Sequence, residues 1–215
     1  NILVIGLGGV GSYAAEALAR AGVGRMTIVD GDVVQESNIN RQLQALYSTV
    51  NQSKADLMSK RIVDINPQIS LTVINQFLQP EDMASLITDD YAYVLDCIDS
   101  VTPKLHVIKT CKQKKIRFIS SMGAGGKTDP SRIRIAEISE TRDCFFAREV
   151  RKRLRKEHYN YGIKVVYSDE VVSKDKMELT DGTNFKKSYY GTISYMPAMF
   201  GLTMASWVIR KIIQP

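Results

Sequence analysis

Asn1-Ile2-Leu3-Val4-Ile5-Gly6-Leu7-Gly8-Gly9-Val10-Gly11 opens the chain, and its reading decides the fold. Residues 1–5 are a short, mostly apolar run bounded by glycine, which predicts a buried strand. Gly6, Gly8 and Gly11 then fit G-x-G-x-x-G, with Gly9 inside the motif. Residues 12–21 (SYAAEALARA) are good helix formers, and Gly22 and Gly24 supply the stop. In a strand–loop–helix setting, Gly8 permits close approach of backbone to a phosphate. The helix N-terminus adds unpaired N–H groups and the positive end of the dipole. Asp30 ends the next predicted strand, 25–30, where a carboxylate can accept both hydroxyls of a ribose. This much describes a nucleotide with a ribose. NAD is the default ligand, so an NAD-dependent oxidoreductase is one reading, and a tight turn beside an unrelated aspartate is the bland one.

Outward from the loop, the apolar period alternates. Residues 53–65 form an amphipathic helix with Ser53 as N-cap, ended by Asn66-Pro67. Strands are predicted at 71–75, 92–97 and 116–120, with helices at 80–88 and 102–114 between them. This is an α/β pattern: a Rossmann-like, doubly wound, mostly parallel sheet covered on both faces. The C-terminal half adds strands. Residues 132–138 alternate like an antiparallel strand, 145–157 read as a very basic helix and 163–168 as another strand. The polar stretch 173–188 is expected to be a crossing loop. The nearly uncharged stretch 192–213 reads as a long helix. It contains Pro197 and Gly201, and its best reading is a buried helix rather than a membrane span.

The whole chain of 215 residues is expected to be one domain with a full core. At 44% hydrophobic and 24% charged residues it is neither disordered nor fibrous. Cys97, Cys111 and Cys144 form no C-x-x-C pair, which argues against a disulfide scaffold and a zinc site and fits a reducing, cytoplasmic compartment. A net charge of +6 allows an anionic partner without establishing one. The chain opens on an apolar strand with no initiator Met, and it is read as a piece of a longer protein whose N-terminal segment is missing.

Other residues draw the reading away from NAD. Ser37-Asn38-Ile39-Asn40-Arg41-Gln42 follows the ribose carboxylate. Arg41 can grip phosphate oxygens bidentately and Asn38 can donate to them, while Lys54 adds a point charge. Leu95-Asp96-Cys97-Ile98-Asp99 places a carboxylate, Asp99, at the carboxyl end of a central strand, where it is a natural Mg²⁺ ligand facing a triphosphate. Arginine, lysine and a metal carboxylate together describe phosphoryl or adenylyl chemistry.

With the Asp64-Ile-Asn66-Pro67 segment added, this set of motifs resembles the ubiquitin-activating-enzyme superfamily. It is most similar to the bacterial branch that holds the molybdopterin and thiamine adenylyltransferases. The resemblance covers about residues 1–140 and resumes over Gly191 to Met204. It implies ATP and Mg²⁺ as cofactors and adenylation of a carboxylate. ATP would be bound by Gly6, Gly8, Gly9, Gly11, Asp30, Asn38, Arg41 and Lys54, with Arg41, Lys54 and Asp99 catalytic. It also implies a homodimer. An N-terminal arginine that the family donates to the partner subunit's ATP site is absent from this stretch of chain.

Residues 173–190 contain no cysteine, so thioester chemistry is disfavoured. Ile98-Asp99-Ser100-Val101-Thr102-Pro103-Lys104, Gly123-Ala-Gly125-Gly126-Lys127-Thr-Asp129-Pro130 and Val166-Tyr167-Ser168-Asp169-Glu170 resemble the tRNA threonylcarbamoyladenosine dehydratase branch. That resemblance implies a tRNA substrate. A sulfur-transfer or cysteine-desulfurase-associated protein is a further expected partner, and no membrane is expected. The runner-up is an activator of the C-terminus of a small ubiquitin-like sulfur-carrier protein. A non-catalytic nucleotide-binding module is a third reading. Six positive charges crowd residues 148–156. They are either a solvated face or a tRNA contact through Arg151, Arg153 and Arg155, with Lys127 and Arg132 extending the patch.

Overall fold

In the computed structural model, residues 1–172, 177–179 and 188–214 are described. Part of the expected crossing loop at 173–188 lies outside them. Strands β1 (Ile2–Ile5), β2 (Arg25–Val29), β3 (Ser70–Ile74), β4 (Tyr93–Asp96), β5 (Phe118–Ser121), β6 (Ile133–Glu137) and β7 (Lys164–Ser168) form one sheet. Its order is β3-β2-β1-β4-β5-β7-β6. All neighbours run parallel except β6, which pairs antiparallel with β7, as its alternating sequence predicts. Strands β8 (Met177–Leu179) and β9 (Ser188–Tyr190) pair antiparallel as a separate ribbon.

β1 is buried at all four positions because helices cover both faces of the sheet. On one face lie α1 (Gly11–Arg20), α2 (Lys54–Ile65) and α6 (Tyr195–Ile213), which share a core with Val4, Met26 and Leu95. On the other lie α3 (Pro80–Leu86), α4 (Val101–Gln113) and α5 (Phe145–Lys156), packed on Leu3, Val94 and Phe118. Ser53 caps α2 as expected, its Oγ accepting from Asp56 N at 3.1 Å. Observed element bounds differ from the sequence expectations by a few residues, as frayed ends do.

α6 starts at Tyr195, three residues later than its composition implies. Pro197 therefore falls in the first turn, where a missing N–H breaks no helical bond. A Cβ on Gly201 would lie 2.2 Å from Val10 O, so glycine there lets α6 press onto the start of α1. Among the described residues, no helix is long and apolar enough to cross a membrane. The chain rises through β1, β2 and β3 on one side and then crosses to β4 on the other. The topological switch point, the place where open α/β sheets bind ligands, therefore lies between the carboxyl ends of β1 and β4.

Candidate nucleotide site at the switch point

The glycine loop is compressed onto the β4 side of this crevice. Gly6 takes φ +88°, and a Cβ there would sit 3.2 Å from the backbone of Cys97. At Gly11 a Cβ would lie 1.7 Å from Gly6 O. Gly9 is closed in by Pro197 and by Arg41 O, at 2.9 and 3.2 Å from the position of a Cβ. Gly8 has only Gln42 Nε2 nearby, at 3.7 Å, and so keeps the open face that a phosphate needs. Gly11→Ala is expected to abolish nucleotide binding and lower the melting temperature, since no side chain can move to relieve a clash with backbone. Calorimetric titration with ATP and a thermal melt check both.

Asp30 lies just past β2 and is held by two backbone donors. Leu7 N donates to Oδ2 at 2.6 Å and Asp32 N donates to Oδ1 at 2.8 Å. Burial pushes its pKa up, and the nearby Lys54 charge pulls against that. Lys54 is buried, with its Nζ 2.9 Å from Asp32 Oδ2. The structure thus places Lys54 in a pair with Asp32, a residue to which the sequence assigned no role. Asn38 is buried too. Its Oδ1 accepts from Gln35 N at 3.1 Å, and its carbonyl accepts from the backbone N–H groups of Arg41 and Gln42. It shapes the turn that presents Arg41.

Arg41 Nη1 donates to Ser37 O at 2.7 Å and to Asn40 Oδ1 at 2.8 Å. Burial lowers the guanidinium's pKa, and the charge of Asp99 offsets part of that. Asp99 is exposed beyond β4. Gln42 and Gln44 were missed in the sequence. Their Oε1 atoms are buried without a hydrogen-bond partner, and Gln44 Nε2 donates to Leu7 O at 2.7 Å. An unsatisfied carbonyl beside a glycine loop is a place for a ligand donor. Only the neighbouring Arg41 could have signalled them.

Below the crevice lies a buried ionic cluster. Lys104 Nζ is 2.7 Å from Asp96 Oδ2 and both side chains are 0% exposed. Ser120 Oγ donates to the same oxygen at 2.6 Å, and Asp96 Oδ1 accepts from Ile98 N at 3.1 Å. Asp96 thereby braces the turn that carries Asp99. Cys97 and Cys111 are core residues. Burial raises both thiols, that of Cys111 to about 12, so neither is a nucleophile near neutrality. Cys144 is buried as the N-cap of α5, its Sγ accepting from Ala147 N at 3.5 Å.

The expected RNA contacts need correction. Lys127 is only 3% exposed. Its ammonium donates to Asp143 O at 2.9 Å, to Ser168 O at 3.4 Å and to Glu170 O. A lysine turned onto three carbonyls is a strut, not a surface contact. Arg151 donates to Ile138 O at 3.2 Å, to Thr141 O at 2.8 Å and to Thr141 Oγ1. Arg153 pairs with Glu149 one turn back. The third arginine of that expectation, Arg155, is exposed, as are Lys152 and Arg148, the last with its guanidinium 4.7 Å from the Phe145 ring centroid. Arg132 pairs with Asp169 but keeps a partly exposed side chain, so the pairing does not remove it from the surface.

One family model, described as the ThiF family, matches residues 1–215. The tRNA threonylcarbamoyladenosine dehydratase of Bacillus subtilis (strain 168) is 42% identical over 221 residues, covering 100% of this chain and 87% of that one. A crystal structure of the Escherichia coli tRNA N6-threonylcarbamoyladenosine dehydratase TcdA in complex with ATP superposes with a TM-score of 0.88. It is 36% identical, covering 99% of this chain and 85% of that chain. The molybdopterin-synthase adenylyltransferase of Escherichia coli (strain K12) is 37% identical over 120 residues, 56% of this chain and 48% of that one. The likeness to the dehydratases thus runs the length of the chain, whereas that to the molybdopterin-synthase adenylyltransferase covers 56% of it. The glycine loop, the Arg41 turn and the Asp99 turn meet at the switch point of a sheet matched from end to end: the chain belongs to the ThiF family.

Proposed function

We propose that the chain is an ATP-dependent tRNA threonylcarbamoyladenosine dehydratase. The observation that carries the reading is the glycine loop, open at Gly8, with the Arg41 turn packed on Gly9 and the end of β4 packed on Gly6, in a chain aligned over its full length with dehydratases. A cation and the Asp99 carboxylate beside a phosphate cradle suit adenylyl transfer, and hydride transfer needs neither. The substrate carboxylate attacks the α-phosphorus of ATP and pyrophosphate leaves with the bridging oxygen. A neighbouring group of the same nucleoside then attacks the acyl carbon and AMP departs. The net change in the nucleoside is loss of one water. Intramolecular attack has a high effective molarity, so no enzyme nucleophile is required, in keeping with the inert thiols.

Asp30 orients the ribose, and the Gly8 backbone and Arg41 hold the phosphates, with Lys54 adding positive charge behind them. Among the described residues, no three His, Cys, Asp or Glu side chains gather as a metal site. That suits Mg²⁺, which uses one or two carboxylates and takes its remaining ligands from phosphate and water. Asp99 would hold it, and the ion supplies charge neutralisation of the triphosphate when bound. Incubation with ATP, Mg²⁺ and tRNA bearing threonylcarbamoyladenosine, followed by nucleoside mass measurement, tests the reading. A product lighter by one water is expected, and unchanged nucleoside with intact ATP refutes it.

The same reading includes a homodimer. Tyr195, Met199 and Leu202 are 41%, 38% and 43% exposed at helical spacing on α6, on the face turned from the sheet. Leu202→Glu is expected to shift a dimer to monomer in light scattering at micromolar concentration, because a carboxylate cannot be desolvated in an apolar seam.

A further inference from the structure

Three arginines converge on one enclosed carboxylate at the far end of the same sheet edge. Asp169 follows β7 and its side chain is 3% exposed. Arg132 Nε is 2.9 Å from Oδ1, Arg142 Nη2 is 2.9 Å from Oδ2, and Arg134 Nε is 3.9 Å from Oδ2. The two nearer guanidinium groups hold the Asp169 carboxyl down at about 2, so it is ionised throughout the physiological range. The arginines stay accessible, with side chains 43%, 48% and 70% exposed for Arg132, Arg134 and Arg142. Arg132 Nη2 also donates to Asp169 O at 3.0 Å, and Arg134 Nη1 to Ser131 O at 2.6 Å and Ile133 O at 3.0 Å; a fork has five donors, so N–H groups remain on each for a ligand.

The surroundings are built to hold this arrangement. Asp143, beside Arg142, takes φ +53°, a left-handed conformation disfavoured for residues other than glycine. The buried Lys127 ammonium donates to its carbonyl and also to those of Ser168 and Glu170, tying the Arg142 turn to the Asp169 turn. Glu170 is occupied by Thr128 N, Thr128 Oγ1 and Asp129 N, and Asp129 Oδ1 by Ser131 N and Oγ. Asp143 is exposed and subtracts one charge from the patch. Edge strands such as β6 use charge to repel other strands, but that calls for single side chains, not three on a shared anchor. The positive field continues along α5, where Arg151 lies close enough to Arg148 and Arg155 to feel both charges.

The register sets the distance to the chemistry. Asp96 pairs with Ser120, Ser120 with Val165, and Val165 with Ala136. Asp169 therefore stands at the same carboxyl edge as Asp99, two strands along, and Arg134 one strand further. At about 4.8 Å per strand this is roughly 10–15 Å from the switch point. We infer that Arg132, Arg134 and Arg142 form a preorganised grip for backbone phosphates of the RNA whose modified nucleoside enters the nucleotide crevice. The inference rests on the dehydratase reading. Guanidinium forks pinned from behind lose little entropy on binding phosphate, and a phosphate contact positions an RNA without reading its sequence. Lys127 is the positioning residue of this grip.

The test compares tRNA affinity across salt for the wild type, Arg134→Ala/Arg142→Ala and Arg148→Ala/Lys152→Ala/Arg155→Ala, with ATP affinity and thermal melting measured alongside. Arg132 stays to cover Asp169 in the double variant. In that variant we expect roughly tenfold weaker binding at 0.1 M salt, and a log–log salt slope smaller by about 1.5 for two lost contacts. ATP affinity should not change. Arg134→Glu alone, which removes the 3.9 Å pair and the two bonds to Ser131 O and Ile133 O, should weaken binding in the same direction should the double variant fold poorly. A wild-type slope in the double variant, with the loss confined to the α5 triple variant, overturns the grip and leaves the dehydratase reading standing. Wild-type protein that neither binds tRNA nor dehydrates it overturns the reading and the grip together.

Discussion

Arg41→Ala is expected to slow acyl-adenylate formation by about 10²–10³-fold, the effect of removing one preorganised donor from developing charge. The fold should survive. Arg41 is anchored to Ser37 O and Asn40 Oδ1, both within its own turn, and that turn is closed independently by Asn38. In the proposed reaction it meets charge that grows on the phosphates. Asp99→Ala should produce a loss of similar size by a different route, because it removes the carboxylate that would hold Mg²⁺. Raising Mg²⁺ should recover part of the Asp99→Ala rate and none of the Arg41→Ala rate. Single-turnover release of pyrophosphate from ATP and modified tRNA measures both. Wild-type rates in either variant remove that residue from the mechanism.

Lys104→Met is expected to cost about 3–5 kcal/mol of folding stability, since it strands the ionised Asp96 in the core. Both partners are fully enclosed, and Ser120 alone cannot neutralise the carboxylate. Urea unfolding reads the loss as a lower midpoint at constant slope. Asp96→Leu/Lys104→Met should regain most of the stability, because a hydrophobic pair of similar volume often equals a buried ion pair. Activity should not return with it. Asp96 Oδ1 also holds Ile98 N, and without that bond the Asp99 turn is no longer braced. A double variant with full turnover would show that the pair is only a structural strut.

Local rules carried the reading of the sheet. A buried apolar strand, a glycine loop and an alanine-rich helix are signals within about 20 residues. The alternation of residues 132–138 sufficed to place the one antiparallel strand of the seven-stranded sheet. Local rules also single out Gly8, Asp30 and Asp99, which the structure places just past strand ends, where open α/β sheets bind ligands, and Arg41, which it places in the turn after Asn38. They failed at Gln42 and Gln44, whose significance is an unsatisfied carbonyl, a property of packing that composition does not reveal.

The cations divide the two sources of information most clearly. From sequence alone, Arg151, Arg153 and Arg155 are equivalent positive charges of one basic segment, Lys127 extends their patch, and Asp169 is a residue of a family motif with no role assigned. The helical period of α5 and its apolar stripe of Ala147, Val150 and Leu154 were determined by sequence. Which charges remain for a ligand was decided by segments far apart in the chain. Lys127 is drawn inward because Asp143, Ser168 and Glu170 leave carbonyls that need a donor. Arg151 is taken by the Ile138 and Thr141 carbonyls, and Asp169 gathers arginines from β6 and from the turn before α5. A buried carbonyl must find a donor wherever the chain brings one, so the fate of each charge follows from tertiary contact, while helix and strand period follow from neighbours along the chain.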